Sequence, residues 1–423
     1  MSAIQVSIII PVHERYLFLK ECIQSVVDQT IENKEIICIL DGECEASRLI
    51  IEEVANGEVT IITKKKEGAW AARNLGLELA QGEYVCFMDS DDYYPSTGSI
   101  EKLYVAAKKN NALICGGNIN NVYENKVVSS RGDVFLENGF VHNEDRPQMY
   151  GHTRYLYKRD FLLDNCLKNE RLRRFEDPPF VLRTFVKAKQ YYTIKDVIYN
   201  CRSYERDDFY DYETLVDILK GINICAETLK KVPYNINYKQ YIYGAIESIY
   251  SQVICYLDLD NEIIHHLVER VKRDLTELSF GEVIFLDVSQ AKEVVKSKKE
   301  LLEKIRQSSR LSIYGAGNVA KKVISSEIID QSKIKKCYVS KITKGQDSIN
   351  EIKISCINDI DKFSNDLVIV AADGNNAEEM MLVLKQMEYD NHCLMGSLDI
   401  QILCQLKRMN ALGEFDEVEA DKK

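Results

Sequence analysis

Over the first ~115 residues, short apolar runs alternate with amphipathic segments, and this alternation constrains the fold more than any other feature. Val6–Pro11 reads as a buried strand, and Leu17–Asp28 follows with Leu19, Ile23, Val26 and Val27 on one helical face. Glu35–Leu40, Val59–Thr63, Tyr84–Met88 and Ala112–Cys115 read as strands; Ser47–Val54, Trp70–Ala80 and Ile100–Lys109 read as helices. Strand and helix in this order mean βαβ units and a mainly parallel sheet. Ligands of such sheets bind beyond the carboxyl ends of the strands, here at Pro11–Arg15, Asp41–Glu45 and Asp89–Asp92. From Asn118 to Cys201 the pattern is mixed, with short strands, a helix near Arg159–Asp164 and a helix opening at Pro178. Residues 210–307 read as helical, and βα alternation returns from Arg310. The expected class is therefore α/β, with a sheet domain over 1–205, a helical linker domain over 206–307, a second small βα domain over 308–400 and a tail over 401–423.

Composition narrows the function classes. The formal net charge is −11 with scattered positive residues, so nucleic acid is not an expected partner. No apolar run approaches the ~18 residues of a membrane helix, and the first residues lack the pattern of a signal peptide. The 13 cysteines are dispersed without a Cys-x-x-Cys pair, against structural zinc or a disulfide framework. A cytoplasmic protein is expected.

The strongest chemical signal is Phe87-Met88-Asp89-Ser90-Asp91-Asp92, with three carboxylates just past a buried strand. Carboxylates so close repel one another. A divalent cation would relieve this, and hard oxygen donors suit Mg²⁺ or Mn²⁺, which often bridge to substrate phosphates. Read alone, the segment is equally a solvated acidic loop.

Four further segments accompany it in order: Val6-Ser7-Ile8-Ile9-Ile10-Pro11-Val12-His13-Glu14, then Leu40-Asp41-Gly42, then Gly68-Ala69-Trp70-Ala71-Ala72-Arg73-Asn74-Leu75-Gly76, then Gly82-Glu83-Tyr84-Val85-Cys86 leading into the acids. The series resembles the family 2 glycosyltransferases, which have the GT-A fold, over about residues 5–205. The resemblance implies that Pro11, Val12, Glu14 and Asp41 hold the nucleotide base and that Arg73 and Asn74 lie near the nucleotide. It also implies that Asp89 binds ribose and, with Asp91, the metal on the diphosphate. The family's usual Asp-Asp-Gly-Ser-x-Asp reads Leu40-Asp41-Gly42-Glu43-Cys44-Glu45 here, which keeps Asp41 and leaves the donor's identity open.

In Arg174-Phe175-Glu176-Asp177-Pro178-Pro179, proline opens a helix and Asp177 fits its N-cap. The resemblance implies in addition that Asp177 is the catalytic base, with Glu176 ranked second. It places Arg202 near acceptor or diphosphate, with a surface ion pair as the plain alternative. His152 precedes Tyr155–Arg159, which looks like the family's acceptor-side strand without its usual Trp-Gly-Lys lead.

In the second βα region, Ser312-Ile313-Tyr314-Gly315-Ala316-Gly317-Asn318-Val319-Ala320 has the Gly-x-Gly-x-x-Ala form of a dinucleotide turn. Gly315 and Gly317 are thus candidates for a second nucleotide site, in a segment resembling the small Rossmann-like domains attached to sugar-processing enzymes. The acidic residue expected ~20 positions on is missing, since the next strand ends Tyr338-Val339-Ser340-Lys341. The resemblance to the family 2 glycosyltransferases implies an inverting, metal-dependent glycosyltransferase using a nucleoside-diphosphate sugar, UDP-linked. Its acceptor would be a glycan or lipid-linked glycan of surface polysaccharide synthesis, with peripheral association at the inner face of the membrane. The alternatives are an NAD(P)-dependent or sugar-nucleotide-modifying enzyme acting through the C-terminal domain, and a non-catalytic scaffold of a glycan-assembly complex.

Overall fold

The computed structural model describes residues 3–13, 17–55, 57–123, 126–129, 134–203, 210–232, 238–278, 287–341, 348–360 and 366–411. The chain divides into two compact units, Met1–Ala245 with Leu267–Val283, and Ile246–His266 with Ile284–Lys423.

The first unit opens with β1 (Val6–Val12), α1 (Leu19–Val27), β2 (Lys34–Asp41), α2 (Glu45–Ala55), β3 (Val59–Lys64), α3 (Ala69–Leu79), β4 (Tyr84–Phe87) and α4 (Ser99–Lys109). It continues through β5 (Ile114–Tyr123), β6 (Lys126–Ser129), β7 (Gly139–His142), a single 3₁₀ turn at His152–Arg154, β8 (Tyr155–Lys158), α5 (Arg159–Asp164), α6 (Asp177–Ala188) and β9 (Gln190–Arg202). The strands form one sheet in the order β3-β2-β1-β4-β8-β5-β9-β7, with β6 beside β5. β3, β2, β1 and β4 run parallel, and β8 runs antiparallel between β4 and β5. Because β2 and β4 lie on opposite sides of β1, the chain order reverses there, where open α/β sheets leave a crevice at the strand ends.

β1 is apolar apart from Ser7, whose hydroxyl is hydrogen-bonded to Glu35 and the Gly82 amide, because both faces of the sheet are covered. Val6, Ile8, Ile10 and Val12 pack with α1 and α4 through Leu19, Ile23, Val26, Ile100 and Leu103. Ile9 points the other way, among Ala72 and Leu77 of α3 and Phe180, Val181 and Phe185 of α6. At roughly 1.5–3 kcal/mol per buried side chain, this alternation fixes the register and hence the level at which each strand ends. Pro11 is accommodated because the Ile9 carbonyl accepts from Met88 and pairing with β4 stops at Ile9–Phe87. Its missing N–H falls beyond that ladder. The strand therefore continues to Val12 instead of stopping at Pro11.

The helical segment is not a domain of its own. It contains α7 (Tyr212–Leu229), α8 (Lys239–Asp258), α9 (Glu262–Glu277) and α10 (Val288–Gln307), and the division into units shares these between the two. α7 packs on α6 in the first unit. Tyr212 at its start lies past the expected boundary at 205, a position outside the described residues.

The second unit holds β10 (Leu311–Tyr314), α11 (Asn318–Ser325), β11 (Ile334–Val339), β12 (Ser348–Ile349), β13 (Ile352–Cys356), β14 (Leu367–Val370), α12 (Gly374–Gln386), β15 (His392–Leu394) and α13 (Ser397–Ala411). Its sheet runs β12-β13-β11-β10-β14-β15, parallel except for β12. α10, α11 and α13 line one core through Ile305, Val323 and Leu403, and α12 lines the other through Leu384. The expected tail from 401 is corrected here: Ile402, Leu403, Leu406 and Met409 of α13 are buried. Their helical spacing buries one face of a segment whose composition looked unremarkable.

Candidate active site

The ends of β1, β2 and β4 carry the sequence candidates, and α3 and α6 bring further charges to the same place. Asp41 closes β2 with a nearly buried carboxylate. Its Oδ1 accepts from Lys64 Nζ and from the Glu67 amide, each at 2.9 Å, and its Oδ2 accepts from the Gly68 amide at 2.8 Å. Burial raises this carboxyl, and the three donors more than offset it, holding Asp41 below its ordinary range. Asp41 therefore ties the loop before α3 to the end of β2. Val12 belongs to the core with its side chain enclosed. Glu14 lies outside the described residues.

The three acids after β4 separate by environment. Asp92 is buried, takes a 2.8 Å hydrogen bond from the Tyr199 hydroxyl and a 2.7 Å bond from the Arg202 amide, and is pushed up to about 8 by burial and by nearby Asp89. The Tyr199 hydroxyl in turn accepts from the Asp89 amide at 3.1 Å. Asp89 remains about a third exposed and gives Oδ1 to Arg73 Nη2 at 2.9 Å. The repulsion among these carboxylates is thus relieved by a buried cation and by a raised Asp92. Among the described residues, no three His, Cys, Asp or Glu side chains form a ready metal cluster. Asp89 and Asp91 carry the hard oxygen donors that would hold Mg²⁺ or Mn²⁺. Asp92, already bonded on both oxygens, does not belong to that set.

Arg73 is the centre of the site. It lies on α3, is 4% exposed, and reaches three carboxylates. Besides Asp89, its Nη1 donates to Glu176 Oε1 at 2.9 Å and to Asp177 Oδ1 at 3.1 Å. Burial would lower its pKa, but Asp177, Asp89 and Glu176 outweigh this and keep the guanidinium charged. Asn74 turns away from this cluster: its amide donates to the Asn169 carbonyl at 2.9 Å and accepts from the Asn169 amide at 2.8 Å. It clamps the segment before α6 and is committed to that backbone.

The N-cap expectation for Asp177 is corrected. Asp177 is the first residue of α6, Glu176 precedes it, and neither side chain caps the helix. The Asp177 carboxylate instead accepts from Arg73 and lies 3.1 Å from His152 Nδ1 through Oδ2. Arg73 and His152 outcompete the backbone N–H groups for this carboxylate. Glu176 does not point elsewhere; it converges on the same Nη1. The two carboxyls are driven apart. Burial and neighbouring Asp177 raise Glu176, whereas burial of Asp177 is outweighed by His152, Arg73 and Arg174, which hold it well below the carboxylate range. The Asp177 side chain is 30% exposed against 12% for Glu176, so Asp177 is the ionised and the reachable member.

The approach to this pair is strained. Phe175 has φ of +69°, a left-handed conformation that is costly for a bulky residue. Its ring meets Tyr150 edge-on at 6.2 Å, and Gly221 of α7 leaves it room: a Cβ there would sit 2.6 Å from Phe175 Cδ1. Arg202 ends β9 with its guanidinium over Phe18 and Tyr93, at 4.3 and 4.6 Å from the ring centres, and bonded to Glu21 and the Asp91 carbonyl. It braces the acidic loop, closer to the ion-pair alternative than to a ligand contact. Tyr199 was not among the sequence candidates, and Asp92 and His152 were met there without these roles, which depend on partners far along the chain.

In the second unit, Gly315 (φ +134°) and Gly317 form the turn from β10 into α11, and a Cβ on Gly315 would lie 2.8 Å from the Ala371 carbonyl. β10 lies between β11 and β14, so the turn sits where the strand order reverses. Ser340, just past β11, shares a 2.7 Å hydrogen bond with the Tyr314 hydroxyl.

Residues 7–212 match the family described as Glycosyl transferase family 2. The chain is 30% identical over 206 residues to EpsJ of Bacillus subtilis (strain 168), described as an uncharacterized glycosyltransferase; the match covers 46% of this chain and 60% of EpsJ. It is 29% identical over 198 residues to the poly(ribitol-phosphate) beta-glucosyltransferase of Bacillus spizizenii, covering 44% of this chain and 30% of that protein. The chain thus spans less than two thirds of either relative. The crystal structure of S. aureus TarS 1-349 in complex with UDP superposes with a TM-score of 0.52 at 16% identity, over 70% of this chain and 92% of that one. The parallel half-sheet, the reversed β8 and the acidic loop after β4 thus have the GT-A type fold, in a segment, residues 7–212, that matches the glycosyl transferase family 2 model.

Proposed function

We propose that this protein transfers a sugar from a nucleoside-diphosphate sugar, UDP-linked, to a hydroxyl of a glycan acceptor, with inversion. The observation that carries the reading is the Arg73 bridge, which brings Asp89 of the donor loop and the Glu176–Asp177 pair to one guanidinium. The family match, the poly(ribitol-phosphate) glucosyltransferase relative and the UDP in the TarS complex support it.

Each residue's part follows from its surroundings. Asp41 and the loop it fixes form the base-binding end. Asp89 takes the ribose, and Asp91 with Asp89 holds Mg²⁺ or Mn²⁺. When bound, the metal neutralises charge on the departing diphosphate. Asp177, ionised and partly exposed, accepts the proton of the acceptor hydroxyl as that oxygen attacks the anomeric carbon. Glu176, raised and more enclosed, is the weaker candidate. Arg73 holds acceptor-side and donor-side carboxylates in one frame, the positioning that brings reacting atoms together. The acceptor class we favour is a surface glycan, lipid-linked, approached from the inner face of the membrane by a cytoplasmic enzyme. No helix among the described residues is long and apolar enough to cross a membrane.

The strand order of the second unit and its Gly315–Gly317 turn support reading it as Rossmann-like, and a ligand-sensing or structural role fits it better than redox chemistry. Ser340, engaged with Tyr314, stands near where a ribose-binding acid would be needed. A panel of nucleotide sugars assayed for Mn²⁺-stimulated UDP release, with and without glycan acceptors, tests the main reading. Absence of release from every donor would overturn it. Quenching of NADH fluorescence with no UDP-sugar turnover would favour the oxidoreductase alternative.

A further inference from the structure

Buried imidazoles are costly unless their polar atoms are used. His152 is 3% exposed, in the 3₁₀ turn ahead of β8. Its Nδ1 lies 3.1 Å from Asp177 Oδ2, while its buried Nε2 has no hydrogen-bond partner among the described residues. One polar contact therefore accounts for a histidine at a position where leucine or phenylalanine would fill the space without a desolvation cost. The ring is held from several sides. Its plane is tilted against Phe87 at 5.8 Å between ring centres, and its own carbonyl accepts from the Tyr157 hydroxyl at 3.1 Å. An ionised carboxylate only accepts, so the shared hydrogen sits on Nδ1.

We infer that His152 is a positioning residue, donating from Nδ1 to Asp177 Oδ2 so that, with Arg73 on Oδ1, the carboxylate is fixed at both oxygens and presents one orientation to the acceptor hydroxyl. The inference rests on the reading of Asp177 as the proton acceptor. Asp177 has no helix-cap bond to orient it, and Arg73 Nη1 is shared with Glu176. Without His152, the carboxylate would keep a single shared donor and could rotate about its side-chain bonds. The contact links the 3₁₀ turn ahead of β8 to the start of α6.

The test compares His152→Leu and His152→Asn in the full chain, with Asp177→Asn as reference, by Mn²⁺-stimulated UDP release from the same panel of nucleotide sugars, UDP-glucose and UDP-N-acetylglucosamine among them, with and without glycan acceptors, and by UDP titration. Asparagine can place an amide N–H near the position of the Nδ1–H; leucine keeps the volume and removes the donor. Expected for His152→Leu is a kcat about 10–100-fold lower with donor KM within about twofold, and for His152→Asn a kcat restored to within about fivefold of wild type. Wild-type kcat in His152→Leu beside an inactive Asp177→Asn would overturn the positioning role alone. Equal loss in both His152 variants, with donor KM rising in step, would mark His152 as merely structural. Full activity of Asp177→Asn, or no release by the wild type, would overturn the parent reading and this inference with it.

Discussion

Arg73 on α3 and Asp89 after β4 form a buried-to-exposed ion pair, Nη2 to Oδ1 at 2.9 Å, and the other end of the same guanidinium holds Glu176 and Asp177. One cation thus joins the loop expected to hold the donor to the pair expected to activate the acceptor.

Arg73→Met removes that cation and keeps much of its volume. Losing one side of a buried charge cluster costs about 3–5 kcal/mol, and the partial exposure of Asp89 and Asp177 places the expected loss at the lower end. Urea unfolding measures it. Arg73→Lys should fall between, because an ammonium cannot span three carboxylates as a planar fork does. A loss below about 1 kcal/mol for Arg73→Met would show that water, not Arg73, balances these acids.

Asp177→Asn should lower turnover about a hundredfold or more and leave UDP affinity unchanged, as read by calorimetry. The sequence alone, with Asp177 as a cap, implies a near-native melting temperature, because asparagine also caps. The structure changes that expectation. The amide hydrogens now meet Arg73 or His152, so a loss of about 1–2 kcal/mol accompanies the loss of turnover.

Gly221→Ala would usually stabilise a helix interior by up to about 1 kcal/mol. Here the new methyl meets Phe175 and Leu172, at 2.6 and 3.2 Å from their nearest side-chain carbons, so a net loss of about 1–3 kcal/mol is expected. Turnover should fall with it, because Phe175 immediately precedes Glu176. A raised melting temperature with normal turnover would refute the coupling.

Asp41 gives a pH signature. Its carboxyl is held below its ordinary value, so its contribution to stability is complete above the unfolded pKa of about 3.9 and is lost as pH falls through the folded value. Asp41→Asn should cost about 1–3 kcal/mol at pH 7, and the gap to wild type should close below about pH 4. Denaturation midpoints across that range test this; a gap independent of pH would assign Asp41 no charge-based role.

Metal dependence is the most exposed expectation, since no protein-only cluster of three ligands stands among the described residues. UDP should bind more tightly with Mn²⁺ than with EDTA, and Asp91→Ala should abolish the difference. Equal affinities in the wild type would leave the diphosphate to protein cations alone.

The order of the first strands and helices, and the ends of β1, β2 and β4 to within a residue, were determined by the sequence itself. Apolar runs of strand length and one-sided helical stripes are local patterns that burial on two faces makes unambiguous, as Val6–Val12 shows. The same is true of the carboxylates' positions at strand ends, since Asp41 and Asp89 directly follow buried residues. What those charges do was decided by tertiary structure. Arg73, expected near the nucleotide, forms a buried bridge among three carboxylates; Asn74 beside it is spent on Asn169; Asp177 looked like a cap and is held by Arg73 and His152. Hydrogen bonds and ion pairs act over a few ångströms between residues a hundred positions apart, such as Arg73 and Asp177, and no local pattern records which partner wins. Hydrophobic periodicity is a property of each segment alone, whereas the pairing of charges belongs to the assembled sheet.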